Sequence, residues 1–323
     1  MIRWSHPALD LAAAAPLAAH AVSSEQIDAG ASSAILRRLR FADGSTLVAK
    51  HVTPELDWMM RVTGDTGRAA RLWIDGTMDR LPREIDPALV RIEDDGEGGF
   101  VLYMRDVRFH PRSVRFDARD VERILDALAA LHAAFWGERV PGLCSLADLL
   151  TLLAPAHVGR IEVRDFAEAV RAGWEAFAEI APPDVADAVL SLVADPAPLV
   201  ERLDATGTTL LHADPHFGNA VLEPDRLVLI DWTLATQGPP AVDFAWFLDH
   251  SIQLIDATHD DVAAAFLRAE RGRVSREALD LGLLSELLST GWECGQWRDD
   301  NREERRASFD WFVAGARRAL AQF

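Results

Sequence analysis

The sequence predicts an α+β chain: a mostly β lobe of about a hundred residues, then a mostly helical lobe of about two hundred. Three observations carry that prediction. Two β-patterned runs near the N-terminus are joined by Asp43-Gly44, a strong hairpin signal. From about residue 117 onward, apolar residues recur at three- and four-residue spacing, the period of a helix face. One β-rich island, TTLLHADPHFGNAVLEPDRLVLIDW (208–232), interrupts the helical half.

The elements follow in chain order. Arg3 and the run PALDLAAAAPLAAHA (7–21) faintly resemble a secretory leader, but Asp10 and Pro16 interrupt it. An amphipathic helix beginning near Pro7 is expected instead. SSAILRRLRF (32–41) and STLVAKHV (45–52) form the two arms of the hairpin. A helix is expected over 67–80, stopped by Leu81-Pro82, because the residue before a proline is pushed out of helical geometry. VRIED (90–94) leads through Gly96, Gly98 and Gly99 into the strand FVLYMRDV (100–107). Further helices fit 117–137, 163–180, 184–203, 241–255, 258–270, 275–297 and 303–321. Within the β-rich island, a hairpin runs from Ala220 to Ile230 and ends on Asp231.

Composition narrows the function classes. At 323 residues, 49% of them hydrophobic, the chain can build two packed lobes around a sizeable core. The net charge of −18 is spread along the chain, which argues against nucleic acid or an anionic membrane as partner. No segment reaches the ~18 uninterrupted apolar residues of a membrane span. Cys144 and Cys294 lie far apart and fit neither a disulfide framework nor a zinc site. Buried thiols in a reducing, cytoplasmic compartment are therefore expected.

The stretch HADPHFGN (212–219) follows neither helical nor strand periodicity, so its polar residues answer to something other than packing. It delivers Asp214 and Asn219 from a loop, and the adjacent strand end delivers Asp231. Carboxylate and amide oxygens of this kind suit Mg²⁺ with phosphate oxygens. Lys50 is the only lysine in a chain with 32 arginines. A compact ammonium at the end of an apolar strand can sit between two phosphates, where a forked guanidinium fits less well. A rival reading makes His212, Asp214 and His216 a transition-metal site. It lacks a supporting histidine cluster and leaves Asn219 and Asp231 unexplained. Asp243 opens the expected helix at 241–255 and reads as a first-turn acid.

Taken together, these segments resemble the aminoglycoside phosphotransferase and choline kinase family. HADPHFGN is similar to that group's H-G-D-x-H-x-x-N loop, and IDWTLATQGPPAVDFAWFL (230–248) to its I-D-[FW]…D-[LF]-A segment. VAK (48–50) is similar to its β3 lysine segment, and LAALHAAFW (128–136) to its leucine–histidine helix. The resemblance spans roughly residues 30–250 and implies a two-lobed protein-kinase-like fold. A nucleotide-binding lobe would cover 1–104, and a helical lobe with the catalytic loop and acceptor pocket 105–323. It implies that Lys50 clamps phosphates of ATP or GTP and that Asn219 and Asp231 hold Mg²⁺. Asp214 would orient the acceptor hydroxyl, while His212 and Asp243 brace the loop. The nucleotide would also meet Ser32 and Ser33, whose backbone and hydroxyls reach phosphate, and Met104 and Arg105 at the hinge.

The chain departs from the pattern in two places. Gly30-Ala31-Ser32-Ser33 replaces a G-x-G-x-x-G loop. The acid expected to pair with Lys50 aligns with Ala69, so Asp65, Asp75 or another carboxylate must supply it, or the chain is a catalytically impaired nucleotide-binding module. Only eleven residues separate Asp231 from Asp243, too few for the activation segment of a protein kinase. The acceptor is therefore a small molecule. Trp297, Asp299 and Asp300, on the C-terminal side of a helix expected to carry Trp292 too, would suit a cationic hydroxyl-bearing acceptor such as an aminoglycoside, amino sugar or choline-like alcohol.

Overall fold

Asp43-Gly44 turns the chain as expected: Phe41 N–H reaches Ser45 O at 2.9 Å, and Gly44 adopts φ 84°. The computed structural model describes residues 16–27, 34–111, 113–161, 163–298 and 301–323. The expected N-terminal helix lies mostly outside these; the described part is a 3-10 turn at Leu17–His20. The hairpin belongs to a five-stranded antiparallel sheet of order β1-β2-β3-β6-β5. Its strands are β1 (Ser23–Gln26), β2 (Ile35–Arg40), β3 (Thr46–Val52), β5 (Leu89–Asp94) and β6 (Phe100–Arg105). Strand alternation sorts its side chains. Leu39, Phe41, Leu47, Ala49, Val90 and Tyr103 form a small core with Leu17, while Leu102 and Met104 join the main core. Lys50 stands opposite Leu102 in the ladder and so shares the face turned toward the helical half.

Between β3 and β6 lie two short helices, α1 (Trp58–Val62) and α2 (Arg68–Ile74), and the two-residue strand β4 (Ile85–Asp86). The helix expected over 67–80 stops at Ile74, because Gly76 takes φ 77° and the chain resumes only as a 3-10 turn at Met78–Arg80. The helical half comprises α3 (Ala118–Ala134), α4 (Leu146–Leu150), α5 (Arg164–Ile180), α6 (Pro183–Ala194) and α7 (Ala197–Ala205), followed by α8 (Pro240–Ser251), α9 (His259–Ala269), α10 (Arg276–Thr290) and α11 (Arg302–Leu320). The single helix expected over 184–203 is two, α6 and α7, broken at Asp195-Pro196. Proline lacks the N–H of a helix interior and drives Asp195 to φ −141°.

The β-rich island folds into β7 (Thr209–Leu211), β8 (Ala220–Leu222), β9 (Leu227–Leu229) and β10 (Thr236–Gly238). β9 pairs with β8 and, in parallel, with β4, which ties the island to the N-terminal half. The helix expected over 275–297 also ends early. α10 stops at Thr290, and residues Gly291–Gln296 form a 3-10 turn. That turn packs backbone to backbone on α5: a Cβ added at Gly173 would stand 1.9 Å from Trp292 O. Trp292 is consequently buried, and Trp297 lies beyond the turn in extended backbone, so the two tryptophans do not share a helix face. Both cysteines are buried thiols. Among the described residues, no helix is long and apolar enough to cross a membrane.

Candidate active site

Lys50 and Asp231 meet across 181 residues of sequence, with Nζ 2.8 Å from Oδ1. The lysine reaches there because β3 buries it on the sheet's inner face, where it is only 5% exposed. Asp231 is held at φ 64°, a left-handed conformation unusual for a residue with a side chain. Burial opposes its charge, but the Lys50 ammonium and the Thr233 hydroxyl outweigh that and hold its pKa at about 2. Asp231 therefore stays ionised at any working pH.

The loop between β7 and β8 carries Asp214 and Asn219. Asn219 Nδ2 donates to Asp214 Oδ2 at 2.6 Å, which turns the amide oxygen away from the carboxylate. Among the described residues, Asn219 Oδ1 and Asp231 Oδ2 make no hydrogen bond. Both are hard oxygen donors, so they fit Mg²⁺ and would suit a thiophilic metal poorly. On Asp214, burial and the nearby Asp231 charge push the pKa up to about 7. His250, Trp246 and Asn219 pull the other way. Trp246 Nε1–H donates to Oδ1 at 2.7 Å, and His216 Nε2 lies 3.3 Å from the same oxygen.

Asp243 organises the loop from below. Fully buried in the first turn of α8, it accepts from the N–H of His212 at 3.0 Å and of Ala213 at 2.7 Å. Those two bonds stabilise Ala213 at φ 68°, a strained value of the kind that gathers at functional sites. His132 of α3 stands on the other side, with Nε2 3.3 Å from Asp243 and Nδ1 2.7 Å from Glu270. Burial disfavours its charge, yet Glu270 and Asp243 together raise its pKa to about 9. His212 spends both ring nitrogens on nearby backbone: Nε2 pairs with Ile230 O, just past β9, at 2.9 Å, and Nδ1 accepts from Asp214 N–H at 3.3 Å. No nitrogen is left for a metal, which removes the rival His212–Asp214–His216 site.

Other expected residues fall differently. Met104 is buried at the inner face of β6, but Arg105 turns its guanidinium to Asp86 at 2.6 Å and Glu223 at 3.2 Å, a strut between β4, β6 and the β8–β9 turn. Its own N–H is taken by Ala88 O. Ser32, Ser33, Asp299 and Asp300 lie outside the described residues. Trp297 is half-buried, packs on Phe309 with ring centres 5.6 Å apart, and lines a cavity of about 30 Å³ with Asp249, Thr290 and Glu293. Ala69 is a core residue of α2, and the acid beside Lys50 is one that sequence reasoning did not name. Asp57 caps α1 through Met59 N–H at 2.9 Å, is fully buried, and leaves Oδ2 without a partner. Burial raises its pKa, and Lys50 is the cation that opposes the rise.

Trp246, His250 and Glu293 were also missed. The readable signal was the spacing of Asp243, Trp246 and His250, three and four residues apart on one helix face. Asp249, His250 and Glu286 bring ligand-type atoms within 4.8 Å of one another just behind Trp246.

The family model described as the APH phosphotransferase enzyme family matches residues 27–279, most of the chain. The chain belongs to that family. It is a small-molecule phosphotransferase. No curated relative matches it. Solved structures that share the fold of this phosphotransferase include a choline kinase and two antibiotic phosphotransferases. The choline kinase LicA from Streptococcus pneumoniae is 17% identical, with a TM-score of 0.51 over 91% of this chain and 94% of that one. The spectinomycin phosphotransferase APH(9)-Ia, solved with ADP and spectinomycin, is 13% identical, with a TM-score of 0.53 over 92% of each chain. The aminoglycoside phosphotransferase APH(3'')-Id from Streptomyces rimosus, solved with ADP and streptomycin, is 19% identical, with a TM-score of 0.53 over 82% of this chain and 92% of that one.

Proposed function

We propose that this phosphotransferase moves the γ-phosphoryl group of ATP or GTP to a hydroxyl of a small amino-bearing molecule, with Mg²⁺ as cofactor. The observation that carries the reading is the Lys50–Asp231 pair beside Asp214 and Asn219, four side chains from β3, the β7–β8 loop and the end of β9 in one place. Lys50 would neutralise the nucleotide's α- and β-phosphates, and Asn219 and Asp231 would hold Mg²⁺ through their oxygens. When bound, that ion neutralises charge developing on the phosphates. Asp214 accepts the proton as the acceptor oxygen bonds to phosphorus and the bridging bond to the nucleoside diphosphate breaks. A carboxyl group with a pKa of about 7 is matched to that role at neutral pH. Asp57 would bring a second carboxyl group near Lys50, the part that Ala69 does not play.

Two features support an amino-bearing acceptor. The carboxyl groups of Asp249, Glu286 and Glu293 gather one helix turn beyond Trp246, and although burial raises Asp249 and Glu286, His250 and Arg305 hold Glu293 below the ordinary carboxylate range. The cavity at Trp297 is lined by two of them and is of ammonium size. The structural neighbours solved with spectinomycin and streptomycin, and the choline kinase, point the same way. The test is a screen of ADP release from Mg-ATP with aminoglycosides, amino sugars, choline-like alcohols and neutral sugars as acceptors. A preferred acceptor without a cationic group, or an anionic one, overturns the acceptor class. No turnover with any of them, and no nucleotide-dependent thermal shift, overturns the reaction.

A further inference from the structure

Beyond the groups that touch substrate, α8 carries a stacked pair that the scheme above leaves unused. Trp246 holds one oxygen of Asp214 at 2.7 Å while Asn219 holds the other at 2.6 Å, so the orientation of the carboxylate depends on the indole. That indole is itself held by a ring. His250 lies almost flat on it, with centres 4.2 Å and planes 19° apart. Both nitrogens of His250 face acceptors. Nδ1 lies 3.1 Å from Trp246 O and 3.9 Å from Glu286 Oε1, and Nε2 lies 3.4 Å from Glu293 Oε1. A neutral ring would turn a lone pair toward one of these oxygens, so the geometry calls for an imidazolium. Burial disfavours that charge, but Glu293, Asp249 and Glu286 outweigh burial and raise the pKa of His250 to about 10. Glu286 Oε1 is buried with no hydrogen bond, and burial and the Asp249 charge hold its pKa well above the usual carboxylate range. Glu293, which His250 and Arg305 keep low, is therefore the anchoring carboxylate.

We propose that His250 is a positioning residue for phosphoryl transfer: an imidazolium anchored by Glu293 pins the Trp246 indole by cation–π stacking, and the indole N–H then holds Asp214 toward the acceptor hydroxyl. The proposal rests on the functional reading given above. The attraction between a cation and an indole face strengthens as water is excluded, and it selects the flat stacked orientation of the indole seen here. A neutral side chain of similar size does not supply it. An arginine does, because its guanidinium stacks on aromatic faces and pairs with a carboxylate.

The experiment combines kinetics with a measurement that needs no acceptor. In the enzyme with Mg-ATP and its best acceptor from the screen, His250→Gln is expected to lower kcat about tenfold while KM for ATP is unchanged, the mark of lost orientation. His250→Arg is expected to restore kcat to within about threefold, and His250→Gln in a Trp246→Phe background to add no further loss. The indole N–H of Trp246, assigned by Trp246→Phe in a ¹⁵N spectrum, is expected to be protected from exchange in the wild type and in His250→Arg, and to exchange freely in His250→Gln and Glu293→Gln. An unchanged kcat in His250→Gln overturns the proposal, as does a loss confined to the acceptor KM or one that multiplies with that of Trp246→Phe. Equal protection in the wild type and His250→Gln overturns it too, and that arm decides the matter even where no acceptor turns over and the functional reading itself falls.

Discussion

Raising the pH should loosen the joint beneath the β7–β8 loop, and His132 sets the window. The imidazole is buried between Glu270 and Asp243, and its pKa rises from the ordinary 6.5 to about 9. Below pH ~6.5 both the folded and the unfolded chain carry the proton, and the stabilisation is fully present. It is lost as pH climbs through about 9, because the folded state then gives up a proton it had held more tightly. The gap corresponds to about 3 kcal/mol at 1.36 kcal/mol per unit. With an unfolding entropy of ~2.1 cal/mol/K per residue, that is about 4 °C of melting temperature for a chain of this size. Differential scanning calorimetry of the wild type and His132→Gln from pH 6 to pH 10 tests it. The wild type should be more stable at pH 6, and its advantage should shrink between pH 7 and pH 10. Other titrating groups, His250 among them, cancel in the difference between the two proteins. A difference that stays constant across the range would refute the argument.

The remaining expectations concern the site itself. Asp214→Asn should lower phosphoryl transfer ~10²–10⁴-fold while a nucleotide-dependent thermal shift persists, because the role proposed for the lost group is on the acceptor. Asp231→Ala should abolish that shift in Mg-ATP, since it removes a metal-type oxygen and leaves Lys50 buried without its 2.8 Å partner. Lys50→Arg should also lose activity although the charge is kept, because a forked guanidinium cannot fill a buried place that a compact ammonium occupies; wild-type kinetics in this variant would contradict that. Asp249→Asn should raise the KM of a cationic acceptor severalfold and leave KM for ATP alone, as steady-state kinetics with both substrates would show.

Much of this protein was readable where one chemical property dominated a local stretch. Hydrophobic period placed α3, α5, α8, α9 and α11 to within a few residues, because an amphipathic helix must repeat its apolar face to be buried at all. Asp43-Gly44 announced its hairpin through backbone preference alone. The oxygen-bearing residues of HADPHFGN stood out because no helix or strand had a use for them. The misses share a cause. Strands β1, β4 and β10 are two to four residues long, too short for an alternating pattern, and exist because a neighbouring strand satisfies their backbone. The break between α6 and α7 was visible as Pro196 but was outweighed by a continuous apolar period.

The sequence by itself determined the β-then-α order, the singularity of Lys50 among 32 arginines, and the oxygen-bearing set Asp214, Asn219 and Asp231. Those are properties of residue type and spacing, which need no partner. What only the tertiary structure decided is which charges face each other: Asp57 beneath Lys50, His132 between Glu270 and Asp243, and Glu293 behind His250 and Trp246. Electrostatic energy depends on distance and burial, and sequence separation says nothing of either. Glu293 and His250 lie on separate elements 43 residues apart and stand 3.4 Å from each other because α5, α10 and the 3-10 turn at Gly291–Gln296 pack that way.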